Sequence, residues 1–275
     1  MNTKYSIDSF ALTFIGRRQT NQDACLILEH DDLKFFAVAD GMGGMAGGSI
    51  ASKKVLQAAK SVIQGTTTKD SKKNLKSILR KIFHAADQII KETIKDDPLL
   101  DGMGTTLCAI LSQNNHYVFG NIGDSRVYQI NNTSAKVITE DHTFVEKYLR
   151  QFGPPVPPDL KAMSHIIYKA INGEGDEADI FPVKEDYLKF KDGDAFLICS
   201  DGLVTDDEDM LKHDIQRMLT GLPNLRLACE QLVCEAYYNG STDNITVVAL
   251  TYGNFRRTLS RIELDDYPPD GITVL

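Results

Sequence analysis

Phe35-Phe36-Ala37-Val38-Ala39 runs into Asp40-Gly41, and Ala195-Phe196-Leu197-Ile198-Cys199 runs into Ser200-Asp201-Gly202. Each run has the length and composition of a buried strand. Each therefore delivers a carboxylate to the end of a core strand. A third acid, in Asp243-Asn244, opens the run Ile245-Thr246-Val247-Val248-Ala249-Leu250. With that strand antiparallel to the first two, all three acids are expected on one rim of one sheet. Three hard oxygen ligands on a rigid rim are what a Mg²⁺ or Mn²⁺ site requires.

Working outward, residues 10–16 and 24–39 read as strands, with a turn at Glu29-His30-Asp31-Asp32. The Gly-rich stretch 41–48 leads into a helix patterned by Ile50, Val55, Leu56, Ala59, Val62 and Ile63, which Gly65 ends. A second helix fits 71–95, with Leu75, Ile78, Leu79, Ile82, Ala86, Ile89 and Ile90 on one face. Thr105–Leu111, His116–Ile122, Val127–Ile130 and Ala135–Ile138 read as a meander, with Asn114-Asn115 and Gly123-Asp124-Ser125 as turns. Residues 142–165 hold one short helical pattern and then four prolines within 154–158, which speak for a flap without regular structure. Strands return around 180–200, a helix follows at 223–238, and the strand 244–251 closes a domain that spans 1–252. The tail 253–275 shows little periodicity and is expected to be loosely attached. Strands in hairpin series between two grouped helix blocks argue for an α+β fold with antiparallel sheets.

Composition narrows the function. With 275 residues, 42% of them hydrophobic, the chain can bury a sizeable core. A net charge of −8 without a basic block speaks against nucleic acid and anionic membrane as partners. Five scattered cysteines form neither CxxC nor a zinc spacing, so buried free thiols in a reducing compartment are expected. No apolar core of signal-peptide length opens the chain and no run approaches ~20 apolar residues; a soluble cytoplasmic protein is expected.

The glycines after Asp40 fit neither GxGxxG nor a phosphate loop ending in Gly-Lys-Ser/Thr, but bare backbone would let the Gly41 carbonyl approach a cation. Arg17-Arg18-Gln19-Thr20-Asn21-Gln22-Asp23 offers a guanidinium fork for phosphate, and is also readable as a charged turn. Gly123-Asp124-Ser125-Arg126 reads as a hairpin turn carrying an acid, and Asp141-His142-Thr143 as an N-cap to a helix at 143–149.

Together and in order the motifs say more. Arg18 with Asn21-Gln22-Asp23, then Ala39-Asp40-Gly41-Met42-Gly43-Gly44, Gly104-Thr105-Thr106, Gly123-Asp124-Ser125-Arg126, Asp141-His142-Thr143, Ser200-Asp201-Gly202-Leu203 and Asp243-Asn244-Ile245-Thr246 form a series. It closely resembles the metal-dependent (type 2C) Ser/Thr protein phosphatases, especially bacterial members, over roughly residues 10–251. The resemblance implies an α-β-β-α sandwich: two antiparallel sheets face to face, with a helix pair outside each. It implies a binuclear Mg²⁺/Mn²⁺ centre in a cleft at one end. Asp40 would bridge both ions, Asp201 and Asp243 would complete one site, and the Gly41 carbonyl would serve the other. Asp23 would be a ligand or stand just behind the ligands. Asp124, with Asp201, would hold a third, weaker ion. Arg18 would bind the substrate phosphate, and Thr105 would support the site. An activated water would attack phosphorus directly, without a phosphoenzyme. The implied substrates are phosphoproteins made by a Ser/Thr kinase, and a monomer is expected.

The chain departs from the family in four places. Gln22 stands where Glu is frequent, Ser49 where Glu is usual, and Met42 and Met45 where other members carry histidines. Neither methionine can donate a proton, so a leaving group must be protonated by water or another residue, with His142 as a candidate. Two other readings stay open: a pseudophosphatase that binds without turnover, and a phosphatase of small phosphorylated metabolites.

Overall fold

The computed structural model describes residues 6–44, 47–66, 74–204, 208–255 and 272–274. Strands β1 (Ile7–Phe14), β2 (Asp23–His30) and β3 (Leu33–Met42) lead into α1 (Gly47–Gln64) and α2 (Leu75–Asp96). Then come β4 (Gly104–Thr105), β5 (Leu107–Gln113), β6 (His116–Ile122), β7 (Arg126–Ile130) and β8 (Ala135–Val137). The flap carries α3 (Phe144–Phe152) and α4 (Pro158–Lys161). Strands β9 (Asp179–Phe181), β10 (Leu188–Lys189) and β11 (Ala195–Cys199) precede α5 (Glu208–Gly221), α6 (Leu225–Tyr238), β12 (Ile245–Tyr252) and β13 (Ile272–Val274).

All pairings are antiparallel, in two sheets. One runs β13-β1-β12-β11-β7-β8; the other runs β10-β6-β5-β3-β2, with β4 on β3 and β9 on β6. Alternation along the strands builds three core layers, because successive side chains leave a strand on opposite faces. Phe36 and Val38 of β3 meet Phe196 and Ile198 of β11 and Val248 and Leu250 of β12 between the sheets. Phe35, Ala37 and Ala39 face the other way, onto Val55, Ala59 and Ile63 of α1 and Leu79, Ile82 and Ile90 of α2. Ile245, Val247 and Ala249 face Leu211, Ile215 and Met218 of α5 and Leu232 and Val233 of α6. A fully buried ring such as Phe36 stabilises this stack by about 3–5 kcal/mol relative to alanine. The expected α-β-β-α sandwich is therefore the observed one, and all five cysteines are free and buried. No helix among the described residues is long and apolar enough to cross a membrane.

Several local expectations need correction. The three acids do not share one sheet: β3, which carries Asp40 near its end, lies opposite the sheet of β11 and β12. The rim is thus built by two facing sheets. The stretch 105–138 is not one meander either. Its first half, β5 and β6, belongs to one sheet and its second half, β7 and β8, to the other. Gly123-Asp124-Ser125 is the crossover between sheets, not a hairpin turn. The N-cap of α3 is Thr143, whose hydroxyl accepts from Glu146 N–H, and Asp141 instead grips Arg126 with two oxygens. Pro158 opens a short helix, because proline lacks only an N–H that the first turn leaves unpaired. The end of the tail is a strand: Ile272–Val274 pairs with Leu12–Phe14 at the sandwich edge. Helix α5 was not expected, although Leu211, Ile215, Met218 and Leu219 carry helical spacing. Met45 and the expected helix start at 71–73 lie outside the described residues.

Candidate metal centre

Asp40 sits at the end of β3, in register with Asp23 at the start of β2. Its backbone is clamped by two threonines. Asp40 N–H donates to Thr106 Oγ1 (2.9 Å), while its carbonyl accepts from Thr106 N–H (2.8 Å) and Thr105 Oγ1 (2.8 Å). Thr106 Oγ1 also bonds Ser125 Oγ at 2.7 Å, which ties Asp40 to the turn that carries Asp124. The Asp40 carboxyl lies in hydrogen-bonding contact with those of Asp23 and Asp201.

The other two acids come from the facing sheet. Asp201 opens a single 3₁₀ turn after β11, and Asp243 stands two residues before β12. A Cβ on Gly202 would fall 1.9 Å from the Asn244 carbonyl oxygen, so only glycine lets the two acid-bearing turns close on each other. Asn244 fastens the Arg18 loop to the same point. Its side-chain oxygen accepts from Gln22 N–H (2.8 Å), and its amide donates to the carbonyls of Ile15 (2.8 Å) and Thr20 (3.1 Å). Arg18, half exposed, donates to Asp243 Oδ2 (2.6 Å) and to the Thr242 carbonyl (3.1 Å).

These elements wall a cleft of about 1080 Å³. Arg18, Asp40, Gly41, Asp124, Asp201 and Asp243 all line it, so six of the seven residues expected at the site converge there. Asp23 stands behind the wall, buried, with Ser200 Oγ donating to its Oδ2 at 2.8 Å. Gln22 and Met42 also face the cleft. The Gln22 amide donates to the Gly43 carbonyl (3.3 Å), so it braces the Gly-rich turn where a carboxylate would add charge. Thr106, rather than Thr105, reaches the cleft.

His142 does not line the cleft. Its Nδ1 accepts from Gly123 N–H (3.0 Å), its Nε2 bonds Asp179 (3.2 Å), and its ring is buried. Burial lowers its pKa, only partly offset by Asp179. The histidine on the cleft wall is His165, at the end of the flap, beside Ile167. Residue spacing alone carried no signal for it; the tertiary position of the flap's end beside the cleft brings it there.

The electrostatics are those of a site that awaits positive charge. Burial pushes Asp23 up to about 6 and Asp124 up to about 8, the latter with added repulsion from Asp201 and Asp141. Asp40 is pushed well above the carboxylate range, by burial first and then by Asp23, Asp201 and Asp124. Asp201 is also raised, chiefly by burial. Asp201 Oδ1 is buried without a hydrogen-bond partner, an atom that a cation would satisfy. No three His, Cys, Asp or Glu side chains among the described residues enclose a single point. The thiols are no alternative centre: burial pushes Cys25 and Cys199 up to about 12.

A two-sheet sandwich with a carboxylate-lined cleft at one end is the architecture that the resemblance to metal-dependent phosphatases implies. The chain belongs to the protein phosphatase 2C family, whose model matches residues 14–225. The serine/threonine phosphatase stp of Listeria welshimeri is 32% identical over 242 residues, covering 84% of this chain and 90% of that protein. The serine/threonine protein phosphatase PstP of Mycobacterium tuberculosis is 31% identical over 84% of this chain, which spans 42% of that longer protein. Among solved structures, the catalytic domain of PstP in complex with two manganese ions superposes with a TM-score of 0.74 at 30% identity. That match covers 91% of this chain and all of the other.

Proposed function

We propose that this chain hydrolyses phosphoserine and phosphothreonine on proteins at a Mg²⁺ or Mn²⁺ centre built by Asp40, Asp201, Asp243 and the Gly41 carbonyl. The observation that carries the reading is the crowd of buried carboxylates at the end of both sheets, with Asp40 between Asp23 and Asp201. Asp40 would serve both ions, with Asp201, Asp243 and the Gly41 carbonyl as the further protein oxygens. Asp124, with Asp201, would hold a third, weaker ion. Asp23 holds Asp40 from behind through its carboxyl contact. When bound, the ions supply Lewis-acid charge and an activated water. The two manganese ions in the PstP structure support this number of ions.

The rest falls to the chain's own groups. Arg18 lies beside Asp243 at the cleft, where it can take a phosphate oxygen while still bonded to the Thr242 carbonyl. No cysteine reaches the cleft, so no thiol forms a covalent intermediate. Met42 faces the cleft but has no proton to give. His165, on the flap and lining the cleft, would be the side chain that protonates a departing seryl oxygen. The names of the curated relatives support a protein phosphorylated on serine or threonine as the substrate; a Ser/Thr kinase would supply it. Buried free thiols fit the reducing cytoplasm as its place of work, and a monomer remains the proposed state.

The test is hydrolysis of p-nitrophenyl phosphate and of a phosphothreonine peptide, each with Mn²⁺, Mg²⁺ or EDTA, beside Asp201→Asn. Turnover of both substrates that vanishes with EDTA and in the variant is expected. Folded protein without turnover in any metal would sink the proposal and leave a binding module. Turnover of sugar phosphates but not of the peptide would move the substrate to small metabolites.

A further inference from the structure

The family motif Asp141-His142-Thr143 has no role in the chemistry above, yet His142 is almost completely buried and bonded on every side. Residues 123 and 142 hold each other twice. Gly123 N–H donates to His142 Nδ1 (3.0 Å), and His142 N–H donates to the Gly123 carbonyl (3.0 Å). Since Nδ1 accepts, the proton resides on Nε2 and is donated to Asp179 Oδ2 (3.2 Å). Asp179 Oδ1 accepts in turn from Lys169 Nζ (3.2 Å). The His142 carbonyl accepts from Tyr168 N–H (2.8 Å). Lys169 and Tyr168 follow the stretch that carries His165 and Ile167 to the cleft. Gly123 is the residue before Asp124, and it sits at φ +101, where a Cβ would meet Thr106 at 2.5 Å. It cannot be replaced by a residue with a side-chain anchor of its own. The crossover turn is therefore held from two sides, by Thr106 on Ser125 and by His142 on Gly123.

We propose that His142 is a positioning residue that fastens the turn carrying Asp124 to the base of the flap. The relay Lys169–Asp179–His142–Gly123 makes the seat of the flap and the place of the Asp124 carboxylate one mechanical unit. Its catalytic consequence rests on the reading that Asp124 serves a metal ion; its geometry does not.

Two variants separate the two arms of the ring. The side-chain oxygen of Asn takes the place of Nδ1, and the terminal amide of Gln takes that of Nε2. His142→Asn thus keeps the acceptor for Gly123 and drops Asp179; His142→Gln does the reverse. Hydrogen exchange of the metal-free full chain, read by mass spectrometry, reports each arm directly. In His142→Gln, exchange over 119–126 should quicken about tenfold, the cost of one lost buried bond. The Mn²⁺ concentration for half-maximal hydrolysis of p-nitrophenyl phosphate should rise with it. In His142→Asn, 119–126 should stay within about twofold of the parent while 165–171 quickens. Equal quickening of 119–126 in both variants, or loosening spread evenly over the domain, would make His142 an ordinary core residue and overturn the proposal. Should neither variant fold, Asp179→Asn decides: unchanged exchange at both 119–126 and 165–171 overturns it. If the parent shows no metal-dependent hydrolysis, the phosphatase reading falls, while the exchange contrast still decides the fastening.

Discussion

Asp124→Asn should stabilise the metal-free protein, and by an amount that grows with pH. Asp124 is buried, and its pKa stands at about 8 against an ordinary 3.8. An acid with a raised folded-state pKa is stabilised in its protonated form. That stabilisation is complete below about pH 4 and is lost as pH rises toward about 8, because the unfolded chain releases the proton first. The separation of about four pH units sets a ceiling of about 6 kcal/mol at about 1.4 kcal/mol per unit. Asp40, Asp201 and Asp141 share the repulsion and take up protons themselves, so about half, about 3 kcal/mol, is the expected gain at pH 8. Asparagine never ionises and escapes the loss. The assay is urea unfolding in EDTA at pH 5, 6, 7 and 8. The variant's advantage should be small at pH 5, roughly a quarter of its full size, and largest at pH 8. With saturating Mn²⁺ the order should reverse, because the parent's carboxylates then meet the charge they lack. An advantage independent of pH, or a variant less stable than the parent at pH 8 in EDTA, would refute the picture of a site opposed to itself until cations arrive.

Other expectations are more local. Arg18→Ala should raise KM for a phosphopeptide roughly tenfold, the worth of one charge-assisted bond, as read from initial rates. Its thermal midpoint should hardly move, since the half-exposed pair with Asp243 contributes little to folding. Thr106→Val keeps the shape but leaves Asp40 N–H and Ser125 Oγ without their partner. It should cost about 2–4 kcal/mol in urea unfolding and lower Mn²⁺ affinity by titration calorimetry. His165→Ala should slow release of a seryl leaving group more than that of p-nitrophenolate, which departs without a proton. Equal losses on both substrates would remove His165 from proton transfer.

Much of this was legible along the chain because it is local chemistry. The run Phe35–Ala39 ends in Asp40, and Ala195–Cys199 ends just before Asp201, so strand and carboxylate are read together. The thiols sit inside apolar runs and are buried as expected. The capping asparagines Asn74 and Asn224 stand where their helices start. Helix α5 is legible too, in the spacing of Leu211, Ile215, Met218 and Leu219. His142 shows the limit of residue type: a histidine beside an aspartate reads as an acid–base candidate until burial and two bonded ring nitrogens turn it into a fastener.

Strand identity, acid spacing and buried-thiol chemistry come from neighbours within a few residues, and the sequence alone determined them. Which sheet each strand joins was decided only by the tertiary structure. The alternation that buries one face of a strand does not say which partner covers it. Hence Gly123–Ser125 reads as a hairpin yet crosses between sheets, and Asp40 meets Asp201 and Asp243 across a sandwich rather than along one rim. Ile272–Val274 finds β1 at the far end of the chain for the same reason: a strand edge accepts any backbone that reaches it. The raised carboxylate pKa values belong to that assembly as well, since they need burial and several acids brought close at once.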